Sequence, residues 1–130
     1  MSCAPSLLRL IRVFTCLSAF MLARRTLRLM PNTGETLLED VFAFDGEPLG
    51  VEESFVTWFP VDVNGSTARI IAKCSALELT IQEPANAVFQ AIHLKEECRI
   101  NQRKGVLTRL SIALPTGTLR FHVQIVPKPA

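Results

Sequence analysis

Four cysteines, two histidines and twelve carboxylates are the residues of this 130-residue chain that could do nucleophilic, acid–base or metal chemistry. Their spacing assembles none of it. Cys3, Cys16, Cys74 and Cys98 lie far apart, with no Cys-x-x-Cys pair and no neighbouring histidine pattern that would complete a zinc set. Cys74 falls on the apolar side of an alternating run and reads as a small buried hydrophobe. Cys98 has Glu96, Glu97 and Arg99 as neighbours, whose charges act on a thiol in opposite senses. His93 sits about 140° from it around a helix, so the two do not face each other as base and nucleophile. A Cys74–Cys98 disulfide would require an oxidising compartment and hence an export signal. Glu52-Glu53 and Glu96-Glu97 are adjacent pairs, and sequence neighbours point apart on a strand or a helix. Serine-hydrolase and phosphate-loop motifs are absent. No catalytic residue, metal ligand or cofactor is therefore assigned. A small hydrolase or transferase using His122 or His93 stands only if one of them is buried beside a carboxylate.

Anion recognition has more to work with. Arg120, His122 and Gln124 alternate with apolar residues near the C-terminus, and Arg109 and Ser111 hold the polar positions of the run before it. On one sheet face these donors could take a phosphate, a carboxylate or a nucleic-acid backbone. A solvated outer face has the same composition. No aromatic side chain stands among them to stack on a base, which argues against single-stranded nucleic acid. Arg99-Ile-Asn-Gln-Arg103 has an Arg-x-x-x-Arg spacing that resembles cyclic-dinucleotide-binding barrels of the PilZ type, and the closing strands look like strands of such a barrel. That family's second motif, Asp/Asn-x-Ser-x-x-Gly, does not follow, so no site is carried over. Arg99 and Arg103 are kept as an anion site on their own spacing. Asn64-Gly65-Ser66 has the form of a glycosylation sequon, and turn chemistry accounts for it without a sugar.

The elements that must position these residues are segregated by charge. The formal net charge of +2 is a cancellation of +5 over residues 1–34, −8 over 35–62 and +5 over 63–130. Residues 6–30 contain no internal proline or glycine and read as one helix ended by Pro31. Arg9, Arg12, Arg24 and Arg28 fall within about 160° of one another at helical spacing, opposite Leu, Ile, Phe and Ala. The uncharged run over 13–23 has 11 residues, about half the length of a membrane span. Four readings stay open: a secretory leader without a clean small-x-small cleavage site, an Arg-rich presequence of the mitochondrial type, a helix lying on a membrane surface through residues 6–29, or an extension upstream of a start at Met21 or Met30. The chain is cytoplasmic if that segment is spurious, and membrane-associated or targeted through residues 1–30 otherwise. The division is an Arg-rich amphipathic helix over 1–30 and a single domain over 31–130.

In that domain, period two dominates. Leu110, Ile112 and Leu114, then Leu119, Phe121, Val123 and Ile125, alternate with polar residues around Pro115-Thr116-Gly117, which predicts an antiparallel hairpin. Residues 55–63 and 67–74 flank Asn64-Gly65 and predict a second hairpin, with Pro60 at an edge or bulge. Residues 36–45 and 77–82 predict further strands. Residues 84–105 predict the main helix, with Pro84 at its start, an apolar stripe of Ala85, Val88, Phe89 and Ile92, and Gly105 at its end; a strand over 87–94 is the rival. The fold class expected is α+β: a mainly antiparallel small sheet or barrel with one packing helix, preceded by the Arg-rich N-terminal helix. The function expected is a non-enzymatic binding module. It would engage a protein partner, or a second copy of itself, through a charge-polarised sheet surface of Arg109, Arg120, His122 and Gln124. A small anionic-ligand or nucleotide site at Arg99 and Arg103 is the alternative.

Overall fold

Alternation along the chain produces strands over most of the described residues. The structure, a computed structural model, describes residues 9–14, 20–48, 50–100 and 105–129, with side chains from residue 22 onward except 49, 96 and 97. The described residues form β1 (Arg9–Phe14), β2 (Phe20–Leu29), β3 (Thr36–Asp45), β4 (Val51–Thr57), β5 (Val61–Asn64), β6 (Thr67–Ile71), β7 (Ser75–Glu83), β8 (Gln90–His93), β9 (Thr108–Leu114) and β10 (Arg120–Pro129). One short helix, α1 (Lys95–Ile100), lies between β8 and β9. All pairings are antiparallel, in two sheets of order β1-β4-β9-β8 and β2-β3-β10-β7-β6-β5.

The two sheets share one core, as in a β-sandwich. Phe55, Leu110, Ile112 and Leu114 come from the four-stranded sheet, and Leu38, Phe42, Ala68, Ile70, Leu79, Phe121, Val123 and Ile125 from the six-stranded one. The ring of Phe55 packs tilted against Phe89 at 6.4 Å between centroids. Burying a side chain of this size stabilises by about 1.5–3 kcal/mol.

The all-β architecture overturns the expected α+β class, and each local error has a physical cause. Residues 6–30 do not form one helix: β1 (Arg9–Phe14) and β2 (Phe20–Leu29) lie within that range. The absence of proline and glycine permits a helix, but β2 alternates Leu22, Arg24, Thr26 and Arg28 with Ala23, Arg25, Leu27 and Leu29 and pairs with β3 along its whole length. Tertiary pairing outweighs a helix propensity worth tenths of a kcal/mol per residue.

Residues 84–105 are not one helix either. Glu83-Pro84 is cis, Asn86 has a positive φ of 70°, and β8 follows. Ala87 and Phe89 are buried while Val88 and Gln90 are exposed. That is period two, so the apolar stripe at helical spacing was coincidental, and β8 lies within the rival strand.

The C-terminal runs are strands but not a hairpin. β9 pairs with β4 and β8, whereas β10 pairs with β3 and β7. The turn between them, where Thr118 N–H and Oγ1–H both donate to the Pro115 carbonyl, carries the chain from one sheet to the other. Alternation says which side of a strand is buried; it does not say whether two apolar faces lie side by side or face each other across a core. In the same way, residues 55–63 divide at Trp58-Phe59-Pro60, where the chain leaves β4 for β5 in the opposite sheet. The predicted turn does form between β5 and β6, one residue later than expected: Asn64 pairs with Thr67, and Gly65 and Ser66 make the turn. Gly65 has φ 60°, the conformation a turn with glycine at its first central position needs.

Candidate binding surface

Strand β3 has two faces, and both find arginines. Leu38, Asp40 and Phe42 point into the core, so Asp40 is a fully buried carboxylate. Arg25 stands opposite it on β2. Its Nε and one terminal nitrogen donate to the two Asp40 oxygens at 2.9 and 2.8 Å, and the same terminal nitrogen reaches Glu53 Oε2 at 3.1 Å. Glu53 belongs to β4, so the ion network that includes Arg25, Asp40 and Glu53 ties the two sheets together. The hydrogen bond to Asp40 raises the affinity of the guanidinium for its proton; burial opposes this, and the charges of Asp40 and Glu53 reinforce it. A raised value means that the contribution is fully present below the ordinary arginine range and is lost only at more alkaline pH. The network therefore adds no pH dependence through arginine in neutral solution.

The outer face of the six-stranded sheet carries three of the six candidate binding residues expected from sequence, Arg120, His122 and Gln124. Arg120 stands opposite Val41, and His122 opposite Glu39 and Glu83. Arg120 Nε lies 3.5 Å from Glu39 and 3.8 Å from Glu83. Gln124 donates to Glu35 at 2.5 Å and accepts from Gln82 at 3.1 Å. Arg120, His122 and Gln124 are thus together, but Arg109 is not with them. It lies on β9 in the other sheet, 3.8 Å from Glu52, which also accepts from Ser111 at 2.7 Å. The single Arg109–Arg120 face expected from a hairpin does not exist, because the hairpin does not. Arg99 lies exposed on α1, and Arg103 is outside the described residues, as is any joint site with it.

His93 is exposed at the end of β8, its Nδ1 3.1 Å from Thr108 Oγ1. Cys74 is exposed and disulfide-bonded, and Cys98 is buried and free, so they form no disulfide with each other. Cys98 Sγ accepts from the Leu107 N–H at 3.4 Å. Among the described residues, no three potential metal ligands lie together, and no helix is long and apolar enough to cross a membrane.

A feature not expected from the sequence lies beside Arg120. Leu22, Arg24, Val41 and Ala43 line a shallow groove of about 260 Å³ on the outer side of β2 and β3. Leu22 is 61% exposed and Val41 37%. Period two within β2 would have found it, since Leu22 and Arg24 fall in one row only if the segment is extended. Comparison with protein-family models and with curated proteins finds no match to this chain.

Proposed function

We propose that the chain is a non-enzymatic binding module that engages a protein partner through the outer face of β2, β3 and β10. The observation that carries this reading is the groove: exposed Leu22, Val41 and Ala43 flanked by Arg24, with Arg120 in register beside Val41. An apolar centre with a charged rim is the anatomy of a protein interface. Arg120, His122 and Gln124 then act at the rim, where charge guides encounter more than it holds the complex.

The test is site-specific photo-cross-linking in an extract of the native cells, from a photoreactive residue at position 41 and, as control, at Ala113, which is exposed on the other sheet. A discrete product from position 41 that is lost with Arg120→Glu, and whose purified partner binds the wild-type chain more weakly in salt, supports the reading. Equal labelling from positions 41 and 113 overturns it.

A further inference from the structure

We infer that the outer edge of β2 is a docking edge for an extended protein segment in which acidic and apolar residues alternate, added as a further strand to the six-stranded sheet. Among the described residues no strand pairs with β2 on the side away from β3. The edge is long. β2 has 10 residues, whereas β5 at the opposite edge and β8 at an edge of the other sheet have 4 each. Short edges are one way to prevent unwanted pairing, and β2 lacks that protection.

The side chains along this edge specify what would fit. Arg24 and Arg28 are exposed on the outer row, with no ion pair among the described residues. This sets them apart from Arg25, Arg109 and Arg120, each of which lies against a carboxylate of the chain itself. The inner row is apolar toward its end: Leu27 and Leu29 are 55% and 65% exposed, although Leu38, the register partner of Leu27, is fully buried. Ala23 of the same row packs against the core, so it is at the Leu27–Leu29 end that the core stops at β3 and leaves two leucines uncovered on the inner side of β2.

An added strand with acids on the outer row and apolar residues on the inner row would pair both arginines and cover both leucines. Backbone hydrogen bonds would supply the remaining affinity. A second copy of β2 fits less well, since it carries three arginines and no acid and would add like charge to the same ladder. This inference rests on the reading that this corner of the molecule binds protein, and names the partner's chemistry and mode.

The experiment uses the full chain and labelled probe peptides of about five Glu-Val repeats, matched in length to β2, followed by fluorescence anisotropy. Three outcomes together are expected. The Glu-Val peptide binds while the Lys-Val peptide of the same length does not. N-methylation of alternate residues, which removes the N–H groups of one peptide edge, weakens binding roughly tenfold or more. The double variant Arg24→Glu, Arg28→Glu transfers the preference to Lys-Val. Equal binding of both peptides overturns the inference, as does absence of binding by either. Binding that survives N-methylation but is lost with Val41→Asp also overturns it, and leaves the groove reading standing, because the peptide then lies on the face rather than the edge. Circular dichroism of each variant confirms that the fold is retained.

Discussion

Asp40 and Arg120 mark the two extremes of what a charge can contribute here. Asp40 has no exposed side-chain surface, and two of its bonds come from one guanidinium. Replacing it with asparagine leaves the part-buried Arg25 with one carboxylate of the two it contacts. Breaking a buried pair of this kind costs about 3–5 kcal/mol, a large part of the ~5–15 kcal/mol that holds a domain of ordinary stability. Arg120 also lies near two carboxylates, but its side chain is more than half exposed and the distances are longer. Arg120→Ala is expected to cost less than about 1 kcal/mol. Urea denaturation of Asp40→Asn and Arg120→Ala decides the matter, and equal midpoints would refute the assignment of the network to Arg25, Asp40 and Glu53. The sequence shows all three residues but gives no sign of their meeting. Their separations along the chain are long, and Asp40 lies between two hydrophobic neighbours of its row, Leu38 and Phe42.

At the scale of elements, the turns were more legible than the pairings they serve. A tight turn joins β5 and β6 within one residue of the expected Asn64-Gly65, because a two-residue turn depends on the conformational preferences of the residues within it. A Cβ at Gly65 meets nothing within 4 Å, so Gly65→Ala isolates the backbone term. Its φ of 60° makes alanine unfavourable there by about 1–2 kcal/mol. A thermal melt of Gly65→Ala should show that loss with no change in the folded spectrum. The turn at 115–117 is equally legible in Pro115-Thr116-Gly117, but the two strands it joins lie in different sheets. A glycine with φ 88° at Gly117 reverses the chain equally well within a sheet and between two sheets. Phe89 illustrates the same ambiguity for a helix: residues 85, 88, 89 and 92 suggest a stripe, while burial at 87 and 89 shows a strand entering β8.

For the whole molecule, the charge blocks meet. Arg25 of the basic N-terminal block binds Asp40 and Glu53 of the acidic block, while Arg109 and Arg120 of the C-terminal block lie against Glu52 and Glu39. Much of the polarity that suggested an acidic face and a basic face is neutralised within the fold. Arg24 and Arg28 on β2 are among the charges that no ion pair of the described residues takes up. The same network makes β2 integral to the sandwich. A chain beginning at Met30 loses Arg25 and uncovers β3, leaving Asp40 and Glu53 without that cation. It is expected to lack a cooperative unfolding transition. A chain beginning at Met21 loses β1 from the edge of β4 but keeps Arg25 and its register with β3, and is expected to fold with reduced stability. Two-dimensional amide spectra of the two truncations distinguish them. A dispersed spectrum and a sharp transition from the Met30 chain would show that β2 is dispensable.

By itself, the sequence determined which residues lie on the buried side of β6, β7, β9 and β10, and where glycine turns the chain. Those properties follow from side chains alternating along an extended backbone and from the φ values open to single residues. The tertiary structure alone decided that residues 20–29 are a strand, that β9 and β10 belong to different sheets, and that Arg25 reaches across to Asp40 and Glu53. Each of these depends on which distant segment supplies the other half of a hydrogen-bonded ladder or an ion network. Such partners are chosen by the energy of the assembled sandwich, and no local window of the chain contains that energy.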